Sequence, residues 1–270
     1  SIVFVHGFTG HPKDTWTWQG SEPVTEHTVD RREFVNGSEV YWPADLAPQT
    51  VPNSRILTYG YDTRVRHWLN GPVSTKSLHD HGWDLVCSLE ARRRASGEFH
   101  RPILFVSHSL GGLVTQEALK RSRESASTKP HFYAVFKSTV GVLFFGTPHR
   151  GADPRNLFLK ILSISAQAIG VQVNQNIVTT LVPDAQRLSQ LRDAFSAMCH
   201  ERNWQIYSYQ EEYGLTALFR RKVVEDTSSC LDDPKIETKQ HISRNHMNMC
   251  RFFGHSDPEY LKVEAAITLI

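Results

Sequence analysis

Pro102-Ile103-Leu104-Phe105-Val106-Ser107-His108-Ser109-Leu110-Gly111-Gly112-Leu113-Val114 is the stretch that decides the fold. An apolar run of strand length meets a serine, then two glycines, then a helical stripe that continues through Ala118 and Leu119. Brevity and apolar content predict a buried strand. The stretch therefore reads strand, sharp turn, helix, with Ser109 at the turn. That is the setting in which a serine hydroxyl is raised above the end of a sheet as a nucleophile. The turn tolerates little bulk two positions either side. Gly111 satisfies this on the helix side, while Ser107 stands where the usual G-x-S-x-G pattern has glycine. Serine is small enough to be tolerated there, at some cost to the motif. The bland alternative for Ser109 is a helix cap at an ordinary strand–helix turn.

A serine hydroxyl is a poor nucleophile at neutral pH and needs a base, together with donors for the oxyanion it creates. The glycine-rich turn His6-Gly7-Phe8, after the short apolar run Ile2–Val5, is the second half of such a site. The expected oxyanion hole is the pair of backbone N–H groups of Phe8 and Leu110. His6 reads as a structural residue pinning this turn, and Gly7 and Gly10 have ordinary turn chemistry as their bland reading.

Further strands are expected at Arg55–Tyr59, Val140–Phe145, Trp204–Tyr209 and Arg221–Val224. A helix is expected over Ser77–Gly97, and helical patterns over roughly 154–200, where Leu188, Leu191, Phe195 and Met198 form an apolar stripe suited to core packing. Asp257-Pro258-Glu259 is a helix start with a capping residue, a first-turn proline and an acid at the positive end of the dipole. Strands alternating with helices predict a mostly parallel, doubly wound sheet of about six strands with helices on both faces. The whole chain, 1–270, reads as one α/β-hydrolase domain, with a cap-like helical insertion at about 153–200.

Composition narrows the function. With 40% hydrophobic residues a large core can form, and a formal net charge of +2 gives no dominant field for nucleic acid or an anionic membrane. The basic run Arg92-Arg93-Arg94 reads as a solvated helix end. Cys87, Cys199, Cys230 and Cys250 stand far apart with no C-x-x-C pair, which fits a reducing compartment and suggests no metal site. His79 and His81 flank Asp80 without a further ligand cluster. No cofactor is called for, and no apolar run is long enough for a transmembrane segment. Because the chain opens on Ser1-Ile2-Val3 and stops in an apolar helix tail, it reads as an excerpt from a longer protein.

Several segments carry a family resemblance. Val5-His6-Gly7-Phe8-Thr9-Gly10-His11-Pro12, Thr15-Trp16, Tyr41-Trp42-Pro43-Ala44-Asp45-Leu46 and Ile56-Leu57-Thr58-Tyr59-Gly60-Tyr61-Asp62 resemble the opening of the serine-esterase-like (DUF676-type) α/β hydrolases. The Ser109 turn and Phe144-Phe145-Gly146-Thr147-Pro148-His149-Arg150-Gly151 continue it. His246-Met247-Asn248-Met249-Cys250-Arg251-Phe252 and Asp257-Pro258-Glu259-Tyr260 resemble the histidine loop and final helix of the same group. The matches span nearly the whole chain in order. The same segments resemble the hydrolase-like domains heading fungal NACHT or NB-ARC receptor-type proteins, which are themselves similar to SERAC-type mitochondrial proteins and GPI inositol-deacylase-type lipases. The resemblance implies a cytoplasmic effector module linked to nucleotide-binding and repeat regions, with a mitochondrial or membrane-associated place as the alternative.

In this fold the order is serine, acid, histidine. After the strand expected last come His241, His246 and His255. His255 falls just before a helix start, His241 lies in a polar stretch, and the family's loop falls on His246, which becomes the expected general base. The acid belongs just past the preceding strand, which ends at Tyr209-Gln210-Glu211-Glu212. The family's phenylalanine-tyrosine-glutamate lines up with Tyr209-Gln210-Glu211, so Glu211 is the expected acid, with Glu212 and Asp226 behind it and Asp153 more distant. These residues point to a serine hydrolase of carboxylic esters with an ester or lipid small molecule as substrate. Leu157, Phe158, Ile161, Leu162 and Ile169 are candidates for an acyl pocket, or for plain core closure. The rival reading is a signalling or interaction module on a hydrolase scaffold with little turnover.

Overall fold

The structure is a computed structural model that describes residues 1–7, 10–20, 39–61, 77–150, 159, 185–214 and 222–270. Strands β1 (Ile2–Val5), β4 (Ile56–Tyr59), β5 (Ile103–His108), β6 (Thr139–Phe145), β7 (Gln205–Tyr213) and β8 (Glu237–Asn245) form one sheet in the order β4-β1-β5-β6-β7-β8. Every pairing in it is parallel. This is the expected α/β-hydrolase architecture. Two short strands, β2 (Thr17–Gln19) and β3 (Glu39–Tyr41), pair antiparallel apart from it.

Alternation along the strands sorts the core into two layers. Phe4, Leu104, Val106, Leu143, Phe145, Tyr207 and Tyr209 face one way, onto Trp16, Trp42 of the short helix α1 (Trp42–Asp45), Ala47 of α2 (Ala47–Thr50) and the last helix, α7 (Pro258–Leu269). Val3, Val5, Ile103, Phe105, Val142, Phe144 and Ile206 face the other. That layer is closed by α3 (Leu78–Ala95), α4 (Gly111–Glu124), α5 (Pro130–Ser138) and α6 (Ala185–Arg202). Strands buried on both faces read as continuous apolar runs, and this is why β1, β5 and β6 stand out in the sequence. The stripe Leu188, Leu191, Phe195 and Met198 is buried, and Phe195 and Met198 join this second layer. Of the segment expected to cap the site, 185–200 is therefore sheet-covering helix, and nearly all of the rest lies outside the described residues.

The chain's own signals set the helix ends. Ser77 and Asp80 form a reciprocal capping box at the start of α3. At its end Gly97 takes φ +69, with Gly97 N–H bonded to Arg94 O and Glu98 N–H to Arg93 O. That is a Schellman stop, and the left-handed position favours glycine. One reading at this end is corrected. Arg93 is not solvated with its neighbours but buried, with Nη1 donating to Arg101 O and Nη2 to Ser138 Oγ.

The sixth strand is also corrected. Arg221 lies outside the described residues, Val223 and Val224 form a bend, and the outer strand is Glu237–Asn245. Val223 and Val224 are buried, so apolar content was a true sign of burial there and a false sign of extended pairing. The real strand is polar because it sits at the sheet edge, where charged side chains blunt further pairing. His241, read as lying in a featureless polar stretch, is on that strand.

Candidate active site

The sheet order places the site. The chain runs outward from β1 to β4, returns across to β5, then proceeds the other way. The direction of winding thus reverses between β1 and β5, and ligands of open α/β sheets bind beyond the carboxyl ends of strands at such a switch point. Two turns meet there: His6-Gly7 after β1, and Ser109 after β5.

Ser109 has φ +54, a left-handed conformation that a residue with a β-carbon adopts only under constraint. Several contacts impose it. Ser109 N–H donates to Phe145 O at 2.8 Å, and Ser109 O accepts from Gly112 N–H at 3.1 Å and from the Thr147 hydroxyl at 3.0 Å. The glycines around it are packed to the limit. A Cβ on Gly111 would meet Val5 O at 2.3 Å, one on Gly112 would meet Thr147 Oγ1 at 2.1 Å, and one on Gly7 would meet Ser109 Cβ at 2.8 Å. Ser107, in the position where the pattern has glycine, is fully buried. Its hydroxyl shares a 2.8 Å hydrogen bond with that of Thr115, which donates to Gly111 O at 3.0 Å. The departure from glycine is thus matched by a hydroxyl partner on α4.

The His246 imidazole reaches this serine, with Nε2 3.1 Å from Ser109 Oγ. Its Nδ1 lies 3.8 Å from Glu211 Oε1, and the side chains of both residues are almost wholly buried. Glu211 Oε1 also accepts the Val224 N–H at 2.5 Å, so the bend that sequence misread as a strand orients this carboxylate. Gly146, at φ +56, makes room for the imidazole: a Cβ there would meet His246 Nδ1 at 2.9 Å.

The histidine loop is held from several sides. Asn245 Oδ1 accepts the N–H groups of Met247 and Asn248, Trp42 Nε1–H donates to Cys250 O at 2.9 Å, and the Cys250 thiol donates to Thr15 O. Arg244 donates to Arg251 O and to the buried Asp257 carboxylate.

The other sequence candidates are elsewhere. Glu212 is exposed and accepts from the Ser243 hydroxyl. Asp226 pairs with Lys222 and His241 at the surface. His255 lies 3.8 Å from Glu264. Leu110 sits at the N-terminus of α4, where first-turn N–H groups have no partner within the helix. Asp153, Phe8 and the proposed acyl-pocket residues lie outside the described residues.

Two nearby histidines are structural and neutral. His6 is pushed down to about 4 by burial. Its Nδ1–H donates to Gly7 O at 2.8 Å, and its ring stacks on Tyr61, whose hydroxyl donates to His6 O. His149, pushed down to about 3 by burial, accepts at Nδ1 from the Gln116 amide at 2.7 Å. No helix among the described residues is long and apolar enough to cross a membrane.

Comparison with known proteins bears on the same arrangement. The Alpha/beta hydrolase family matches the chain over residues 2–225, which takes in the Ser109 turn and Glu211 and ends before the histidine loop. Human protein SERAC1 is 27% identical over 254 residues, covering 93% of this chain. The zebrafish SERAC1 is 25% identical over 260 residues. The chain spans 36% of the length of these curated relatives. Among solved structures, the mature form of the Bacillus licheniformis lipase BlEst2 superposes with a TM-score of 0.56 at 15% identity, covering 99% of this chain and 90% of the lipase. At that identity the likeness is one of fold.

Proposed function

Since the chain belongs to the alpha/beta hydrolase family, we propose that it is a serine hydrolase that cleaves carboxylic esters through an acyl-enzyme. The observation that carries this is the 3.1 Å approach of His246 Nε2 to the Oγ of a serine held at φ +54. In the resting site Ser109 Oγ–H donates to His246 Nε2, which leaves the imidazole proton on Nδ1, on the Glu211 side. As Oγ attacks the ester carbonyl, its proton passes to Nε2. The buried Glu211 carboxylate orients the imidazolium and stabilises its charge without taking the proton. The tetrahedral oxyanion accepts from the Leu110 amide and, in this reading, from that of Phe8. Collapse expels the alcohol, which takes the proton from Nε2. Water then attacks the acyl-enzyme with His246 again as base, releasing the acid and restoring Ser109.

Lipid-like acyl esters are the substrate class this reading favours. The likeness to domains of fungal NACHT or NB-ARC receptor proteins, and with it a cytoplasmic setting beside further domains, belongs to the same proposal. One observation favours the rival, a module with little turnover: His246 Nδ1 and Glu211 Oε1 are 3.8 Å apart, longer than a hydrogen bond. In sites without substrate, however, such contacts are often long and tighten when substrate binds.

A fluorophosphonate probe separates the two. The protein is expected to be labelled and to hydrolyse short p-nitrophenyl esters, with both lost in S109A. Folded protein that takes no label and turns over no ester would sink the enzyme reading.

A further inference from the structure

His108 occupies the variable position of the serine turn, where the motif itself assigns no task. Its ring is buried, and its Nε2 lies 2.8 Å from the backbone carbonyl oxygen of His246. A carbonyl can only accept, so Nε2 carries the hydrogen and Nδ1 is bare. The ring also packs against that of His246 at 5.0 Å, tilted by 42°, and meets the edge of Trp16 at 6.5 Å. The residue next to Ser109 is therefore bonded to the main chain of the histidine that reaches Ser109.

We propose that His108 is a positioning residue for His246: its Nε2–H holds the main chain of the histidine loop and thereby sets the height of the imidazole over Ser109 Oγ. The inference rests on the serine-hydrolase reading and deepens it. Proton transfer from Ser109 needs Nε2 within hydrogen-bond reach throughout the cycle, and a misplacement of about 1 Å costs a rate factor of about 100. The other anchors of the loop tie it to Trp42, Thr15 and Asp257, none of which is on β5. The bond from His108 couples it to the nucleophile's own turn. Burial keeps this ring neutral, pushing it down to about 4. It therefore brings no positive charge beside His246 when that ring becomes an imidazolium, and a like charge there would oppose the protonation that catalysis requires.

The test compares wild type, H108L, which fills the space without a donor, and H108Q, whose amide can donate to the same carbonyl. H108L is expected to lose about 10-fold or more in kcat with KM changed less than about 3-fold, and H108Q to recover most of the loss. Thermal unfolding checks that both are folded. Leucine matching wild-type kcat, or glutamine no better than leucine when both are folded, would overturn the proposal. Histidine-ring NMR reads the same contact without turnover and without any variant. Wild type should show His108 as the Nε2–H tautomer with a slowly exchanging ring proton, and the Nδ1–H tautomer would overturn it. Wild type that neither hydrolyses ester nor takes the fluorophosphonate label, yet shows this tautomer, would count against the enzyme reading and leave the contact standing.

Discussion

Glu211 and Glu212 are neighbours in sequence and opposites in environment. Glu211 is buried at β7, accepts the Val224 amide and faces His246. Glu212 points outward to Ser243. Alternation along a strand turns one residue of sequence into the difference between site and solvent. E211Q is expected to lower kcat by a factor of about 100 to 10,000 while the fold persists, because an amide can neither stabilise the imidazolium nor enforce its tautomer. E212Q and D226N should stay within about 2-fold of wild type, since these solvent-accessible carboxylates bond to Ser243, Lys222 and His241 and not to the imidazole. Steady-state kinetics on one ester decides it, and an E212Q defect larger than that of E211Q would move the acid. The residue scale was also where sequence was most legible. Ser109, His246 and Glu211 were all expected, and they are the ones brought together. Ser107 was legible only as a departure, because its explanation is a hydroxyl on Thr115 one helix turn beyond Gly111. His108 reads in the sequence only as the variable position of the serine turn, because its partner, the main chain of His246, lies 138 residues away.

Strands buried on both faces were the most legible elements, and the polar edge strand β8 the least. β1, β5 and β6 announce themselves by continuous apolar runs, and α3 by its Ser77 cap and Gly97 stop. β8 does not, since Glu237-Thr238-Lys239-Gln240-His241 carries the polar residues of an edge strand. The buried Glu237 within it accepts from Ser208 Oγ and the amides of Leu231 and Asp232, so of its two buried positions only Ile242 is apolar. The histidine loop that follows depends on α7. Asp257 caps that helix through Glu259 N–H, accepts Phe253 N–H, and receives the Arg244 guanidinium that also grips Arg251 O. D257A removes a cap, at about 1 kcal/mol, and strands a mostly buried arginine, at about 3 kcal/mol. A loss of about 2–5 kcal/mol in urea unfolding is expected, with kcat falling alongside because His246 shares the loop. A loss under about 0.5 kcal/mol would show that the loop does not depend on this carboxylate.

Across the whole molecule, burial of polar rings sets an acid limit. His6, His108 and His149 are pushed down by burial from the usual 6.5 to about 4, about 4 and about 3. Each hydrogen bond described for them suits a neutral ring: two donate to carbonyls and one accepts from an amide. The sign follows from proton counting. Above pH 6.5 neither folded nor unfolded chain protonates these rings, and they contribute nothing to pH dependence. Below it the unfolded chain takes up protons that the folded chain refuses, so stability falls with pH until the folded rings titrate near 4. Each ring contributes a slope of at most about 1.4 kcal/mol per pH unit, and three together about 4. Against a net stability of about 5–15 kcal/mol, one to a few pH units suffice to unfold the domain. Asp80 and Asp233, held below the ordinary 3.8 by their partners, and Asp226, where Lys222 and His241 outweigh a burial effect that raises it, lose their stabilising contribution only at lower pH, so they do not mask the histidines between about 6 and 4.5. H149Q is the sharpest probe. The glutamine oxygen can accept from Gln116 as Nδ1 does, and among the described residues His149 Nε2 has no hydrogen-bond partner to lose. Urea midpoints from pH 4.5 to 8 should coincide in shape above pH 7. Below that, H149Q should be the shallower by about 1.4 kcal/mol per pH unit. Parallel curves throughout would mean that His149 is protonated in the folded protein, and that burial at this ring does not set the acid limit.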